Sequence, residues 1–405
     1  MIRMPTKPFP EYKWQWATLT CTEGLDSPPV LLGVLRAMRK YEGRSASSAG
    51  FNTELKIVEE QTHSTVNLAR TPDRNLLRNS GQYWKALDLI ADDHGRIMLT
   101  PFGRQVADRE ITRTEFAMTV IKILQLPNLR IERNPDKWEA AGLVIKPLEL
   151  IMQILSELEK TRKDQAYITP YELVKITIPL AGEKTQIKEH VDALLQHRAH
   201  LLDISSWPDC APSSNDQRMA REFLLFLGNY GFCRVESGKT RMDEKYYLSA
   251  LEPAETDKLL QIASETTSLR TVKGVRESSI PFIVERKKVM TEITARPQQQ
   301  LFRKNVLIAY DSKCILTGEI LEPVLEAAHI VPVEQKGKDL VENSFCFRVD
   351  VHALYDSGHL QIDPEGNVAL SYFARHSKSY NDLPEKITIP HFVNKKNIEW
   401  RWLYY

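Results

Sequence analysis

Cysteine is scarce in this sequence and never occurs in closely spaced pairs. The 405 residues include only five cysteines, namely Cys21, Cys210, Cys233, Cys314 and Cys346. A structural zinc site of the CxxC type needs neighbouring ligands, so we predict no such site. Scattered thiols are typical of proteins kept in a reducing compartment, and we therefore expect a cytoplasmic protein.

Long apolar runs are missing too. No stretch approaches the roughly 18 consecutive apolar residues that a membrane-spanning helix needs. Residues Met1 to Trp16 also lack the apolar core of a secretory signal. We expect no membrane partner.

Net charge is almost absent, because 54 Lys and Arg residues face 53 Asp and Glu residues and leave a formal charge of +1. Such a chain has no overall attraction to nucleic acid, so any basic surface must be local. Residues 270–304 hold nine Lys or Arg against three Glu, and residues 70–78 form a weaker patch. The phosphate-contact candidates in these stretches are Arg70, Arg74, Arg78, Arg286, Lys287, Lys288, Arg303 and Lys304. A solvated helix face explains each of them equally well.

The most informative stretch lies near the C-terminus. Pro323 to Ile330 is a short apolar run with a histidine near its end, which predicts a strand that presents an imidazole at its exit. A charged loop from Glu334 to Asp339 follows. Ser344 to Phe347 then predicts a second strand, and Val349 to Asp356 predicts a two-turn helix that ends at Gly358.

This arrangement of strand, loop, strand and helix brings together residue types that hydrolyse phosphodiesters. The reaction needs a base to take a proton from water and an electrophile to stabilise charge on the phosphate. His329 suits the base, because the ordinary pKa of imidazole is roughly 6.5. His352 and Asp356 are four residues apart, so a helix places both on one face, where they can reach one cation. Asn343 does not titrate, but its carboxamide can tie two backbone segments together and hold the loop that orients His329.

The same stretch resembles the HNH endonucleases of the ββα-metal fold, in the branch common among restriction and phage-defence nucleases. The resemblance covers about residues 301 to 372 and includes CILTG at 314–318, EAAHIVP at 326–332, EN at 342–343 and FRVDVHALYDSG at 347–358. It implies metal-dependent cleavage of DNA, with His329 as general base, Asn343 as its support and His352 as a metal ligand. We add Asp356 as the second ligand and Arg348 as a phosphate contact. The implied cofactor is a divalent cation, with Mg²⁺ as the first expectation and Mn²⁺, Ni²⁺ and Zn²⁺ as alternatives.

The sequence departs from this family at one position. Many members carry a metal-binding Asp or His immediately before the base, whereas this chain has Ala328. Glu326 is a replacement only if the strand is bulged, because regular alternation turns positions 326 and 329 to opposite faces. His359 is another candidate, although it lies beyond the predicted helix end. Taken one at a time, His329 can be an ordinary core histidine, Asn343 a turn residue and the His352/Asp356 pair a solvated helix face.

The rest of the chain predicts helices with two short hairpins. Residues 83–108 and 218–249 each combine a helix, a strand-like run and a glycine turn, which is how winged-helix modules commonly look. Between them, Pro147 to Lys163 is strongly amphipathic, and Thr169 with Pro170 marks the start of a further helix. Winged helices read DNA, but they also serve as packing and protein-binding scaffolds.

We therefore predict an α+β protein with mostly helical, winged-helix-like domains ahead of a ββα-metal nuclease domain. The predicted division is a first winged-helix-like recognition domain at 1–145, a second at 146–255, a basic linker at 256–300 and the HNH domain at 301–405. Within the last, Ile387 to Phe392 predicts a strand, and the aromatic end Trp400 to Tyr405 predicts a packed contact surface.

Three functions fit these patterns. The first is a restriction endonuclease of type II character that cuts double-stranded DNA, acting as a homodimer because one site cuts one strand. The second is a toxic nuclease of a phage-defence system, in which the front half senses a phage signal. The third is a non-catalytic DNA-binding protein with a decayed HNH domain, motivated by Ala328.

Overall fold

The computed structural model describes residues 2–12, 16–20, 24–71, 75–91, 95–211, 213–249, 297–371, 374–375 and 377–405. Four phosphate-contact candidates lie outside these residues, namely Arg74, Arg286, Lys287 and Lys288. So does nearly all of the basic linker. Among the described residues, no helix is both long and apolar enough to cross a membrane.

The front half, from residue 2 to residue 249, is helical with one small sheet. Its helices are Pro28–Lys40 (α1), Ala49–Gln61 (α2), Leu76–Ala86 (α3), Pro101–Ala107 (α4), Arg113–Ile123 (α5), Asp136–Ala141 (α6), Pro147–Thr161 (α7), Pro170–Glu172 (α8), Ile178–Ala181 (α9), Ile187–Arg198 (α10) and Ser214–Asn229 (α11). A wider π-helical turn, Leu173–Thr177, joins α8 to α9. The strands Tyr167–Ile168 (β1), Cys233–Glu236 (β2) and Lys245–Leu248 (β3) form an antiparallel sheet in the order β1-β3-β2.

Buried side chains connect most of the front half, and a second, smaller cluster lies between Ile154 and Trp207. One continuous set runs from Phe9 to Tyr246 and therefore crosses the predicted boundary between residues 145 and 146. The division into two winged-helix-like domains stays a prediction. The helix start predicted at Thr169 is present, because its hydroxyl accepts from the Glu172 amide at 3.1 Å and the Glu172 carboxylate accepts from the Thr169 amide at 2.9 Å.

The C-terminal part, from residue 297 to residue 405, has its own hydrophobic core. Its elements are Pro297–Ala309 (α12), Leu325–His329 (β4), Ser344–Arg348 (β5), Val349–Asp356 (α13), Leu360–Ile362 (β6), Val368–Leu370 (β7) and Lys395–Tyr404 (α14). Strands β4 and β5 pair antiparallel without interruption, from Leu325 opposite Arg348 to His329 opposite Ser344. Phe345 and Phe347 project from β5 onto Tyr355 of α13, with ring centroids 5.9 and 5.2 Å apart. The helix is thereby fixed against one face of the two-stranded sheet.

The C-terminal helix α14 packs on both halves of the protein. Ile398 is buried in the core of the C-terminal part, whereas Tyr404 is buried in the core of the front half. The contact with the front half requires glycine at position 33, because a Cβ there would lie 2.9 Å from the Tyr404 ring. The sequence left open whether the aromatic end packs on its own chain or on a partner, and in the structure it packs on its own chain.

Several predicted elements are confirmed, and two strands are wrong. The strand predicted at Ser344 to Phe347 and the helix predicted at Val349 to Asp356 are present, and the α+β class is confirmed. Residues 387–392 form no strand, because Pro390 lacks an amide donor and the nearest pairing is the single bridge between Asn367 and Lys386. The strand-like run predicted within 83–108, at residues 97–100, forms only one isolated bridge, between Leu99 and Ile90, and Thr100 caps α4 by accepting from the Gly103 amide.

Candidate active site

His329 is the last residue of β4, and contacts on two sides hold its ring. The imidazole stacks on Phe302 of α12, with ring centroids 4.4 Å apart and planes 19° apart. Its Nε2 lies 2.9 Å from Oδ1 of Asp339, in the loop after β4. About a fifth of the side chain remains exposed, at 21 %. The ring is oriented and reachable from solvent, and it does not point into an apolar interior.

Asn343 ties the start of that loop to its end. Its Oδ1 accepts from the Val331 amide at 2.9 Å, and its Nδ2 donates to the carbonyls of Val331 and Lys338 at 3.0 and 3.1 Å. The side chain is buried, with 3 % of the residue exposed. Gly337 allows the loop to close this tightly, because a Cβ there would lie 1.7 Å from the Val331 carbonyl oxygen. The loop that carries Asp339 is therefore pinned next to the end of β4.

His352 lies between two carboxylates. Its Nδ1 is 2.8 Å from Oε2 of Glu326 on β4, and its Nε2 is 3.3 Å from Oδ2 of Asp356 on the same helix. The spacing of four residues in α13 brings His352 and Asp356 together, as the sequence indicates. The contact between β4 and α13 brings in Glu326, which is 26 residues away along the chain.

The charges around His352 favour a cation. Burial by itself would lower the pKa of this imidazole, but the hydrogen bonds to Asp356 and Glu326 outweigh burial and raise the pKa to about 9. The imidazole nitrogens of His352 and the carboxylate oxygens of Glu326 and Asp356 are donor atoms of the kinds that bind a divalent ion. Within the part of the chain that the structure describes, no three His, Cys, Asp or Glu side chains are arranged around one common point for a metal ion. A bound ion would therefore need water and phosphate oxygens among its ligands.

The expectation that Glu326 requires a strand bulge is wrong. Strand β4 pairs regularly throughout, and Glu326 nevertheless reaches His352. Alternation places positions 326 and 328 on the same face, so Glu326 points to the side where many HNH proteins carry the ligand before the base. Ala328 is fully buried against the core on that face. Glu326 thus places a carboxylate beside His352 without a strand bulge.

His359 does not join this group in the structure. It is buried, with 4 % exposed, and its Nδ1 lies 2.8 Å from Oγ of Ser371. Burial lowers the pKa of the His359 imidazole. The residue belongs to the core of the C-terminal part.

The five phosphate-contact candidates that the structure describes lie in different surroundings. Arg348 is paired with Asp350 at 2.7 Å, and Arg303 donates to the carbonyls of Glu322 and Leu325 at 2.9 and 3.1 Å. Lys304 is exposed. In the front half, Arg70 donates through Nε to the Asn67 carbonyl at 2.7 Å, and Arg78 is exposed in the first turn of α3. Arg70 and Arg78 lie in the front half, whereas Arg303, Lys304 and Arg348 lie in the C-terminal part.

Two residues at the site were not singled out by the sequence. Asp339 is one of several charges in a loop, and nothing in its spacing points to His329. Arg401 donates to the carbonyls of His329 and Ile330 at 3.2 and 3.0 Å, across more than 70 residues. The only signal for Arg401 in the sequence is an arginine inside an aromatic segment.

Asn343 offers a test of the loop tether. We expect Asn343→Asp to destabilise the protein by about 2–3 kcal/mol and to lower cleavage, because the new oxygen would face the Val331 and Lys338 carbonyls. Thermal melting and plasmid cleavage measure both effects. Asn305→Asp, the same chemical change at an exposed position of α12, is the control. An Asn343→Asp protein as stable as wild type would contradict the tether.

Comparisons with known proteins agree with the sequence motifs. Residues 314–363 match the family model of the HNH endonucleases. This match contains His329, Asn343, His352 and Asp356, and it confirms the resemblance stated for the C-terminal stretch. No curated protein matches the chain.

One solved structure aligns with a large share of the chain. It is the crystal structure of pyrene- and phenanthrene-modified DNA in complex with the BpuJ1 endonuclease binding domain. The alignment has a TM-score of 0.42 and 13 % identity, and it covers 57 % of this chain and 80 % of that chain.

Proposed function

We propose that the protein is a metal-dependent DNA endonuclease of restriction type. The observation that carries the proposal is the HNH match at residues 314–363 together with the placement of its key side chains. His329 stands oriented at the exit of β4, and His352 stands between two carboxylates on the neighbouring helix. A base and a cation site on adjacent elements are what phosphodiester hydrolysis requires.

His329 acts as the general base. A carboxylate next to one ring nitrogen favours a proton there, so Asp339 holds the proton on Nε2. Nδ1 is then the basic nitrogen that takes a proton from water. The stacking on Phe302 and the tether through Asn343 restrict how far the ring and its carboxylate partner can move.

His352 and Asp356 hold the divalent cation, and Glu326 orients His352 from the opposite edge of the ring. Outer carboxylates of this kind fix the orientation of a ligating imidazole and increase its basicity. Mg²⁺ is the ion we propose first, since it retains several waters and binds through one or two carboxylates plus phosphate oxygens. Held by His352 and Asp356, such an ion would supply stabilisation of the negative charge on the phosphate and the leaving oxygen.

The front half, proposed as two winged-helix-like domains at 1–145 and 146–255, selects the DNA site. A small nuclease module grips mainly the backbone and has little means of choosing a sequence by itself. Arg70, Arg78, Arg303, Lys304 and Arg348 are the proposed phosphate contacts among the described residues, and Arg74 with Arg286 to Lys288 completes the set. A homodimer supplies the second active site that a double-strand break needs.

Digestion of modified and unmodified plasmid DNA with Mg²⁺, Mn²⁺, Ni²⁺ or no metal tests the proposal. We expect cleavage only with a divalent ion and discrete fragments whose sequenced ends share a recognition site. Degradation without fixed sites would contradict the restriction type, and intact DNA under every ion would contradict the nuclease assignment.

A further inference from the structure

The C-terminal helix α14 connects the candidate active site to the front half. At its nuclease side, Ile398 is buried among residues of the C-terminal core. At its other side, Tyr404 is buried in the front-half core, and the Trp400 indole donates to the Gln61 carbonyl at 2.7 Å. A helix fixed in both cores makes the position of one half depend on the other.

A single side chain of this helix joins the strand of the base to the helix of the cation site. The guanidinium of Arg401 donates to the carbonyls of His329 and Ile330 on one side, at 3.2 and 3.0 Å. On the other side it donates to the Tyr355 carbonyl at 2.8 Å, and its Nη2 lies 3.6 Å from Oδ1 of Asp356. Arg401 is buried, with 7 % exposed, and its guanidinium carbon lies 3.8 Å from the centroid of the Tyr355 ring.

The planar fork of arginine is what permits this geometry. Arginine offers several donors in fixed directions, whereas lysine offers one compact ammonium that cannot reach two separate segments at once. The distances between the end of β4 and the end of α13 are therefore set partly by Arg401.

Two arginines of the front half hold the far end of α14. Arg36 donates to the carbonyls of Trp402, at 3.3 Å, and of Leu403. Arg109 donates to the Trp402 carbonyl and stacks over the Trp402 ring with its guanidinium carbon 4.0 Å from the centroid. Carbonyls at a helix C-terminus carry partial negative charge, which favours cations there. Burial lowers the pKa of Arg109 to about 10, and burial together with nearby Arg109 lowers the pKa of Arg36.

A third arginine of the front half reaches the nuclease helix directly. Arg113, the first residue of α5, donates to the Asp356 carbonyl at 3.4 Å and stacks over the Tyr405 ring at 4.2 Å. The last carbonyls of α13 are thus bound by Arg401 from α14 and by Arg113 from the front half. The C-terminal end of α13, the helix that carries His352 and Asp356, is therefore hydrogen-bonded to side chains from α14 and from the front half.

We propose that Arg401 is a positioning residue for DNA cleavage, and that α14 makes the geometry of the active site depend on the front half through Arg36, Arg109 and Arg113. This inference rests on the proposed nuclease function. In this proposal, α14 is the structural link through which the DNA-reading half controls the small cleavage module. A shift of the front half on its target moves α14, and Arg401 passes that movement to His329 and Asp356 together.

The test compares three full-length variants with wild type. The first is Arg401→Lys, which replaces the guanidinium that contacts both β4 and α13. The second is Arg109→Ala, which removes a front-half contact to α14. The third is Lys396→Ala at an exposed position of α14, which is the control for loss of a positive charge. Single-turnover cleavage gives the rate, DNA binding gives Kd, and hydrogen exchange by mass spectrometry reports on residues 325–332 and 349–358.

A positioning role predicts a specific pattern. Arg401→Lys should lower the cleavage rate roughly tenfold to a hundredfold, because small displacements of reacting groups cost this much. Its Kd for DNA should stay close to wild type, and its melting temperature should fall but stay well above the assay temperature, while hydrogen exchange rises in both segments. Arg109→Ala should raise exchange in the same two segments from its position in the other half. Lys396→Ala should behave as wild type in every measurement.

Two outcomes would overturn the inference. One is unchanged exchange in both segments in the Arg401→Lys and Arg109→Ala proteins. The other is a loss of rate that only follows a loss of melting temperature, which is what a purely stabilising arginine would give. If Arg401→Lys does not fold, Arg109→Ala alone decides by the same exchange readout. If wild type cuts no DNA with any ion, the proposed function fails, whereas the exchange measurements still decide whether α14 positions the two segments.

Discussion

Replacing His329 by alanine is expected to reduce DNA cleavage by about 10² to 10⁴-fold, which is the usual contribution of a positioned general base. The variant should bind DNA as wild type does, because the proposed phosphate contacts are arginine and lysine side chains and not this imidazole. Its fold should persist, since the lost side chain is partly exposed and stacks on Phe302 at the edge of the core. Single-turnover cleavage of a plasmid and a binding assay at the same salt concentration measure the two properties.

Two companion variants sharpen this experiment. Asp339→Asn removes the charge next to Nε2 of His329 and should give an intermediate loss, because the base is still present but less firmly oriented. His391→Ala removes an exposed histidine in the same part of the protein and should cut at the wild-type rate. Undiminished cleavage by His329→Ala would refute the assignment of the base.

The second large effect is expected at His352. His352→Ala removes a proposed cation ligand and should lower cleavage more than about a hundredfold at ordinary Mg²⁺ concentration, since even outer partners of metal ligands cost 10–100-fold. Part of the activity should return as the concentration of Mn²⁺ or Mg²⁺ rises, because the remaining carboxylates still bind the ion weakly. Metal titration of the cleavage rate gives both quantities.

The two carboxylates beside His352 provide the matched comparison. Asp356→Asn should resemble His352→Ala in its metal requirement, because Asp356 is the proposed second ligand. Glu326→Gln should cost less and shift the metal requirement only modestly, because a glutamine can still accept a hydrogen bond from Nδ1. If Glu326→Gln raised the metal concentration needed for cleavage more than Asp356→Asn did, Glu326 would be the cation ligand and Asp356 the residue that orients His352.

Local patterns in the sequence were enough to predict the elements that carry the site. A short apolar run with a histidine near its end marked β4, and Gly358, which has a φ of +79°, marked the end of α13. The pairing of His352 with Asp356 followed from helical periodicity alone. In each case the signal lies within about eight residues and depends on backbone geometry that any such segment shares.

The parts that could not be predicted depend on contacts between distant segments. The sequence admitted Glu326 to the site only through a strand bulge, because its contact with His352 becomes visible only when α13 packs on the regular sheet. Asp339 meets His329 because Asn343 and Gly337 close the loop, which loop composition does not reveal. Arg401 reaches the site from a helix 45 residues after Asp356, and the front-half arginines that hold this helix are still farther away.

The predicted strand at 387–392 failed for a related reason. Apolar content favoured a strand, but a strand exists only where a neighbour offers a ladder of donors and acceptors. The hairpin of β6 and β7 offers residues 385–387 only a short contact, in which the Ile387 amide donates to the Gly366 carbonyl at 2.8 Å. Position 366 requires glycine there, because a Cβ would lie 2.2 Å from the Ile387 carbonyl oxygen.

The most direct test is a single-turnover plasmid assay in which wild-type and His329→Ala proteins are compared with Mg²⁺, after EDTA, and after Mg²⁺ is restored. If one imidazole and one bound cation cleave DNA together, wild type cuts with Mg²⁺, stops in EDTA and resumes when Mg²⁺ returns, while His329→Ala binds the plasmid and leaves it intact. Cutting by wild type in EDTA, or cutting by His329→Ala at the wild-type rate, would contradict this mechanism.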